Sequence, residues 1–410
     1  MISFKNISKS LIESLKINRK KILYDSKLNE SFGNEDKWYK FKGGNMIIRN
    51  GDVEFKFRQN SDFYWLTGID IPNYGVGINF YQKKIILLPP AYDDMYPIWH
   101  GKIPDIEKIK NNLLFDDQIV DVFYDDKNFI VCLVDKIRNF RVIKNEFELD
   151  IISEACRISQ KAHLEIKKNI ELFDGMREKN VLNKFVELTE NNDNVDGQAY
   201  PSICGCGENS AILHYVCTDY GYINSKIKSG EIFLIDAGCE YFNYASDITR
   251  TYGVGAINDY QQKLIDIVTD INYQCKLEVK ENVNFKKIHN KCMNLIYQGI
   301  LELNILNKKG LEIDKNIISK IFMPHGLGHF LGLDVHDVGG RLYNKITDES
   351  ITLKENMVIT IEPGIYFNKF LLEKHKDYWN DNIQNYHNLG GVRIEDVVAV
   401  KKNTYLQLNT

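Results

Sequence analysis

The sequence predicts a two-domain α+β protein, and three observations support this prediction. The chain has 410 residues, more than a single hydrophobic core usually serves. Its N-terminal part contains short β-branched or aromatic runs separated by Gly, Asn or Pro, a pattern typical of a small α/β domain with a sheet. From Phe147 onward, long helical stripes alternate with strand-like runs. We therefore expect an N-terminal α/β domain over residues 1–144 and a larger domain of helices and strands over residues 145–410.

The N-terminal domain is expected to begin with a helix and continue with strands. Phe4, Ile7, Leu11 and Leu15 recur at helical spacing, which predicts an amphipathic helix over residues 1–24. The basic N-terminus faintly resembles a transit peptide, but Glu13 is atypical of one, and a folded helix is the better interpretation. Strands are predicted at Asn45–Ile48, Phe63–Leu66, Gly75–Phe80 and Lys84–Leu88, the last stopped by prolines, with further elements over 119–143.

The second domain opens with a helical stripe that contains Leu149, Ile152, Cys156, Ala162, Ile166 and Ile170. Strands and turns are expected over 198–255, where the run EIFLIDAG is followed by YFNYASDITRTYGVG. Two strand-like runs near the end, ENMVITIEPGIYF and GGVRIEDVVAV, each hold a Glu among apolar residues. Further helices are predicted at Val181–Glu190, Tyr260–Val279 and Phe285–Leu303.

Composition excludes several classes of function. The net charge of −4 and pI of about 6.2 argue against a nucleic-acid partner, because phosphate binding needs a clustered basic excess. Eight scattered cysteines without a CxxC pair indicate reduced thiols in a cytoplasmic protein rather than a disulfide scaffold. No uncharged apolar run approaches the roughly 18 residues of a membrane span. We expect no membrane partner.

The stretch MPHGLGHFLGLDVHDVGG, Met323–Gly340, is the strongest local signal for a site. Its glycines disfavour a helix, since each costs about 1 kcal/mol there relative to alanine. A bent or strand-like segment is the better interpretation, with imidazoles directed into one cavity. Histidine is the commonest metal ligand and the usual proton carrier near neutral pH. The three histidines are His325, His329 and His336.

Four carboxylates complete a possible metal site. A hairpin with its turn near Glu240–Asn243 would bring Asp236 and Asp247 to one face. Glu362 and Glu395 lie in apolar strands, where a carboxylate is costly unless it is paired or metal-bound. An oxygen-rich site with one imidazole favours Mn²⁺, Co²⁺ or Fe²⁺, and two ions about 3.5–4 Å apart can activate a shared water.

Each of these residues also has an ordinary structural explanation. An Asp before Gly is more often a turn residue, and the Glu of EPG belongs to a common turn. The structural alternative for Glu395 is a simple ion pair with Arg393, and that for His325 is a satisfied structural histidine. The order DxG, SDITR, HGLGH, EPG and RIED carries the functional interpretation, because together these motifs are hard to obtain by chance.

With these motifs the sequence resembles the pita-bread metallopeptidases, which include methionine aminopeptidase, aminopeptidase P and prolidase. It is most similar to prolidase, the Xaa-Pro dipeptidase. The similarity spans nearly the whole chain, including FRQNSDFYWLTG, IWHGK, ICGCGENSAILHY and the insertion before GGVRIED. It implies a creatinase/prolidase-like N-terminal domain over 1–144 and a pita-bread (creatinase/aminopeptidase-like) catalytic domain over 145–410.

The resemblance implies a role for each residue of the constellation. His214 and His336 would contact the scissile carbonyl, and Glu362 would pass a proton to the leaving nitrogen after attack by a hydroxide that bridges the metals. Arg393 and Thr249 would orient carboxylates, and His325 would line the substrate pocket. The cofactors would be two divalent ions, Mn²⁺ foremost and Co²⁺, Zn²⁺ or Fe²⁺ as alternatives. Their ligands would be Asp236, Asp247, His329, Glu362 and Glu395.

Two departures leave the substrate open. Dipeptidases of this type place an arginine between HDVGG and EPG to bind the product carboxylate, whereas only Arg341, Lys345 and Lys354 are candidates here. Aminopeptidase P activity on longer Xaa-Pro peptides is therefore the alternative, and a metal-free binding module is a minor one. Cysteines stand where the family has small residues; we interpret them as isosteres, with oxidation sensitivity as the alternative. They are Cys204, Cys206 and Cys239.

The resemblance also implies a homodimer in which the N-terminal domain packs against the partner. Trp99, in IWHGK, is the candidate for that contact and for binding substrate in the partner's site. The structural alternative for Trp99 is a place in the local core.

Overall fold

The computed structural model describes residues 9–109, 119–122, 129–131, 134–217 and 224–410. The chain divides into two compact units, Met1–Asp150 and Ile151–Thr410. The division falls inside the helix Glu146–Lys168, close to the change of pattern seen at Phe147.

Unit 1 contains a five-stranded mixed sheet in the order β6-β5-β4-β1-β7. The pairs β1–β4 and β4–β5 are antiparallel, and β5–β6 and β1–β7 are parallel. A 3₁₀ helix over Val134–Arg141 follows the last strand. The elements are α1 (Lys9–Leu23), α2 (Ser26–Phe32), β1 (Tyr39–Lys42), β2 (Ile48–Asn50), β3 (Val53–Glu54), α3 (Ser61–Thr67), β4 (Gly75–Asn79), β5 (Lys84–Leu88), α4 (Tyr96–His100), α5 (Ile106–Ile109), β6 (Ile119–Val122) and β7 (Ile130–Val131).

Several predictions for this unit are confirmed. Leu11 and Leu15 are buried along α1, whereas Phe4 and Ile7 lie outside the described residues. Strands β4 and β5 occupy the predicted positions. The prediction at Asn45–Ile48 is confirmed only for Ile48, where β2 begins.

The strand predicted at Phe63–Leu66 is wrong, because these residues lie in α3. The Asn60 side chain caps the helix by accepting from the Phe63 amide, and Gly68 ends it in the left-handed conformation. All seven residues of α3 are buried, so the sequence shows no apolar face. An apolar run without periodicity does not separate helix from strand.

Unit 2 combines small antiparallel sheets with helices. The sheets have the orders β13-β10-β9, β12-β11-β8, β14-β17-β18 and β15-β16. Its elements are α6 (Glu146–Lys168), α7 (Glu178–Glu190), β8 (Val195–Gln198), β9 (Ile203–Cys206), β10 (Ile232–Asp236), β11 (Cys239–Tyr241), β12 (Tyr244–Ala245), β13 (Thr249–Gly253), α8 (Asp259–Lys276), α9 (Phe285–Glu302), α10 (Lys308–Glu312), α11 (Lys315–Phe322), β14 (Val358–Ile361), β15 (Gly364–Tyr366), α12 (Lys369–Lys374), β16 (Gly391–Arg393), β17 (Asp396–Val400) and β18 (Tyr405–Gln407).

The long helices of unit 2 confirm the helical predictions. Buried side chains such as Ala162 and Ile166 of α6 pack with strand residues such as Phe233 of β10. Asn258 and Gln261 form a capping box that begins α8, and Asn284 caps α9. The sequence analysis did not identify α10 and α11. Among the described helices, none is both long and apolar enough to cross a bilayer.

Candidate active site

A β-hairpin positions the two aspartates. Strand β10 pairs with β13 so that Asp236 lies opposite Thr249. Between these strands the chain reverses at Phe242 and Asn243, at φ 48° and 60°, which join β11 to β12. This left-handed pair suits a two-residue hairpin turn and lies within the predicted turn. Asp236 and Asp247 are both buried, at 9% and 5% exposure.

His329 comes from the irregular stretch between α11 and β14. Its Nδ1 lies 2.9 Å from the Phe330 carbonyl oxygen and donates to it, which leaves Nε2 directed at carboxylates. Nε2 is 3.3 Å from an Asp247 oxygen and 3.8 Å from a Glu362 oxygen. A ring whose second nitrogen is fixed by a carbonyl has the arrangement of a metal-ligating histidine.

The two glutamates approach the hairpin from the C-terminal strands. Glu362 follows β14, and its amide donates to the Leu327 carbonyl at 2.9 Å. Glu395 lies between β16 and β17, where the Thr249 hydroxyl donates to its Oε2 at 2.7 Å. One ligand atom each from Asp247, His329 and Glu395 lie within 4.8 Å of one another.

Arg393 donates hydrogen bonds to three side chains beside these carboxylates. Its Nη2 donates to Asp236 Oδ2 at 2.5 Å, its Nη1 to the Tyr366 hydroxyl at 2.9 Å and its Nε to the Thr249 hydroxyl at 3.1 Å. The guanidinium thus pairs with Asp236, and Thr249 joins it to Glu395. The structural alternative for Glu395, a simple ion pair with Arg393, is therefore wrong.

The clustered carboxylates of the site shift one another's pKa values and would be stabilised by added positive charge. Burial, followed by repulsion from Asp247, raises the pKa of Glu395 well above its usual value, and burial raises the pKa of Glu362 to about 7. Burial also raises the pKa of Asp236 despite Arg393. For His329, burial lowers the pKa, but Asp247 outweighs it and brings the value to about 9. Crowded carboxylates of this kind are stabilised by bound cations.

The donor atoms of these residues suit a bound metal ion. Asp236 Oδ1 is buried and has no hydrogen-bond partner among the described residues. A buried carboxylate oxygen without a partner is costly unless a ligand or ion binds it. Four carboxylates and one imidazole suit hard or borderline divalent ions. The five predicted ligands therefore fit divalent ions, and we propose them as the metal site.

A cavity of about 460 Å³ joins these five residues to further predicted site residues. Its wall includes His214, His325, His336 and Arg393 together with apolar residues such as Val216 and Val335. The His336 ring lies 4.4 Å from the His329 ring, centroid to centroid. Thr249 is fully buried behind the carboxylates.

The sequence analysis missed two tyrosines of the site. Tyr200 donates to Asp247 Oδ1 at 2.6 Å, and Tyr366 links Arg393 to His325 Nε2, 2.9 Å from its hydroxyl. Tyr366 belongs to the motif EPGIYF, which is the one signal that pointed to it. For Tyr200 we find no signal beyond its place before ICGCG.

The remaining predicted residues lie elsewhere. Trp99 is in α4 of unit 1 and is 69% exposed, so the local-core alternative is wrong. Lys345 donates to the His325 carbonyl at 3.0 Å but does not line the cavity. Neither do Arg341 and Lys354.

The three cysteines near the site are Cys204, Cys206 and Cys239, and all are free and buried. Burial raises the pKa of each thiol, which does not favour oxidation sensitivity.

Comparisons with known proteins cover both units. Residues 150–402 match the model of metallopeptidase family M24, and residues 16–124 match the aminopeptidase P N-terminal domain. Two similar relatives are named probable Xaa-Pro aminopeptidases. That of Sclerotinia sclerotiorum is 32% identical over 89% of this chain and 73% of its own, and that of Phaeosphaeria nodorum is 32% identical over 90% of both.

Solved structures share the fold. Aminopeptidase P from E. coli superposes with a TM-score of 0.78 at 22% identity, over 98% of this chain and 95% of that one. Proline aminopeptidase P II from Yersinia pestis gives 0.76 at 22% identity, over 97% and 96%. The fold prediction is confirmed. The relatives named here are aminopeptidases, so the closer resemblance to prolidase is not supported.

Proposed function

The chain belongs to metallopeptidase family M24, and from this premise we propose that it is an Xaa-Pro aminopeptidase, which removes the residue before proline from peptides longer than a dipeptide. This was the alternative in the sequence analysis, and the names of the relatives favour it over the dipeptidase. The minor alternative, a metal-free binding module, gains nothing from a cavity in which all five candidate ligands converge.

The observation that carries the choice of substrate is the charge of the cavity. Among the described residues that line it, Arg393 is the one lysine or arginine. Its Nε, Nη1 and Nη2 each already donate to a protein partner, namely Thr249, Tyr366 and Asp236, and the last of these is a buried carboxylate. A dipeptide would place its proline carboxylate in this cavity without a lysine or arginine free to pair with it, which is unfavourable. A longer peptide has a neutral amide at that position.

The proposed metal ligands are Asp236, Asp247, His329, Glu362 and Glu395. Bound divalent ions would supply an activated water and polarise the substrate carbonyl. Asp236 is held for this role by Arg393, and Asp247 by Tyr200. We propose Mn²⁺ as the first candidate for the physiological ion.

The remaining groups bind substrate and move protons. Glu362, beside His329 in the cavity, is placed to take a proton and deliver it to the proline nitrogen. His214 and His336 are placed to donate to the carbonyl oxygen as negative charge develops there. The pKa of His325 is lowered to about 3 by burial and by Arg393, so its ring stays neutral beside the Tyr366 hydroxyl.

The experiment compares Ala-Pro, Ala-Pro-Ala and Ala-Ala-Ala with Mn²⁺, Co²⁺ or Zn²⁺ restored after chelation. We expect chelation to abolish hydrolysis and Ala-Pro-Ala to exceed Ala-Pro in kcat/KM by about tenfold or more, the effect of one uncompensated charge. Asp247→Asn should be inactive, whereas the matched surface variant Asp377→Asn should match the wild type. A preference for Ala-Pro, or equal cleavage of Ala-Ala-Ala, would overturn the proposal.

A further inference from the structure

A second cavity in unit 2 carries a concentration of positive charge that the proposed peptidase activity does not use. It has a volume of about 470 Å³ and lies between α9, α11 and the loop that follows Leu342. This volume is within the roughly 300–1,000 Å³ of pockets that bind small molecules. Its charged residues are Lys286, Lys315, Lys320, Lys345 and Asp348.

Three of these four lysines have no carboxylate partner among the described residues. Lys286 forms an ion pair with Asp348 at 2.6 Å, but within the described parts of the chain no carboxylate pairs with Lys315, Lys320 or Lys345. Burial, and after it the charge of Lys320, lower the pKa of Lys345. Like charges gathered in a cavity, on a chain of net charge −4, favour a bound anion.

A buried histidine provides a second and independent observation. His289 is only 4% exposed, lines the same cavity and lies beside the Tyr343 ring, 5.2 Å from centroid to centroid. No hydrogen bond joins its ring to another described residue. Burial, then Lys345 and Lys320, lower its pKa to about 4, so the neutral ring keeps an N–H to donate. A polar side chain this buried, with no protein partner for its ring, is a candidate to bind a ligand or water in the cavity that it lines.

We propose that this cavity, which we call the basic pocket, binds a small anion with several negative charges, of the phosphate type. Lysine ammonium groups are common phosphate partners, and the amides of Asn290, Asn294 and Asn316 add neutral donors in the same wall. The pocket is separate from the cavity of the metal ligands, since the two share no lining residue. This proposal does not depend on the peptidase activity.

The test is calorimetric titration of the metal-loaded protein with trimetaphosphate, a ring phosphate chosen because it competes weakly for divalent ions. We expect saturable binding at one site that weakens as salt rises. Lys320→Ala should weaken binding about tenfold, the loss of one charge-assisted contact, and Lys320→Glu should abolish it. Lys320 is on the exposed side of α11, where substitution is tolerated.

The matched control is Lys402→Ala, an exposed lysine outside the pocket, which should bind trimetaphosphate like the wild type. The absence of saturable binding to the wild type would overturn the proposal. So would equal weakening by Lys320→Ala and Lys402→Ala, because that result would indicate a diffuse charge effect rather than a site.

Discussion

At the scale of single residues, neighbours decide what each carboxylate of the site does. Asp236 and Asp247 are both buried aspartates of one hairpin. Burial raises the pKa of Asp236. For Asp247 burial also acts to raise the pKa, but His329, Tyr200 and Arg393 together outweigh it and lower the pKa. Arg393 and Tyr200 account for the remaining contacts of the pair. The two side chains therefore differ in the direction of their pKa shift, although both are aspartates.

Arg393→Lys tests whether the guanidinium orients Asp236. A lysine donates from a single point, so it cannot reach Asp236, Thr249 and Tyr366 together. We expect metal affinity to fall about 10- to 100-fold, the usual cost of losing a partner of a ligand. Competition with a fluorescent chelator measures it. The control is Arg157→Lys, in a surface pair with Glu154, and wild-type affinity in Arg393→Lys would refute the role.

Asp396 is a structural carboxylate beside a proposed ligand. Burial alone would raise its pKa, but Arg250 and Lys276 outweigh burial and hold the pKa below the usual 3.8. Arg250 Nη2 donates to it at 2.8 Å, and Asn409 Nδ2 donates at 2.7 Å. A carboxyl whose folded-state pKa is lowered stabilises the protein above its unfolded pKa and loses this effect as pH falls through the folded value.

Asp396→Asn should therefore lower the free energy of unfolding at pH 7 by about 3 kcal/mol, because it leaves two buried cations without their partner. The difference from the wild type should narrow as pH falls from about 4, the pKa of the carboxyl in the unfolded chain, through its lower folded-state pKa. Urea unfolding over a pH series measures it. Asp377→Asn, in an exposed pair with Lys309, should change nothing. A pH-independent difference would contradict the assignment.

At the scale of elements, close backbone contact places His329. The irregular stretch before β14 passes so near this strand that a Cβ at Gly328 would lie 2.0 Å from the Thr360 carbonyl oxygen. In the same contact, the His329 amide donates to the Thr360 hydroxyl at 3.1 Å. Glycine at 328 is thus needed for space, and the prediction of a bent segment near the ligands is confirmed by its irregular backbone.

Gly328→Ala should push this stretch away from β14. We expect a loss of about 1–3 kcal/mol in the free energy of unfolding, as for overpacked sites, together with weaker metal binding because His329 moves. Gly326→Ala is the matched control, since a Cβ there meets no atom within 4 Å. Equal behaviour of the two variants in urea unfolding and metal titration would show that the contact is unimportant.

At the scale of the whole molecule, the assembly remains a prediction. Helix α4 exposes Ile98 and Trp99, at 70% and 69%, and Met95 just before it is 49% exposed. Clustered exposed apolar side chains often mark an interaction surface. We retain the proposal that Trp99 contacts a second copy of the chain and helps to bind substrate there. The cytoplasmic location also stays a prediction.

Trp99→Ala should lower the dimer fraction and raise KM for Ala-Pro-Ala with little change in stability, because the side chain is exposed. A loss of about tenfold in dimer affinity is typical of an aromatic contact in an interface. Analytical ultracentrifugation and peptide kinetics measure the two effects. Tyr81→Ala, at 61% exposure in the same unit, is the control. A dimeric Trp99→Ala with unchanged KM would refute the proposal.

The predictable parts of the fold are those with a local cause. The helices α6, α8 and α9 have apolar stripes, and the hairpin turn at Phe242 and Asn243 lies where it was expected. The segment of α3 was assigned wrongly because every residue in it is buried. Its state depends on the surrounding core, which no short window of sequence contains.

The sequence by itself determined the five candidate ligands, the hairpin that carries two of them and the metallopeptidase class, because these depend on residue types in a motif order. Only the tertiary structure decided which partners the charges have. Arg393 reaches Asp236 across 157 positions of the chain, and Lys345 reaches the His325 carbonyl instead of the cavity. Hydrogen bonds and burial act over a few ångströms in space, so residues distant in sequence set the charge of the cavity and with it the proposed length of the substrate.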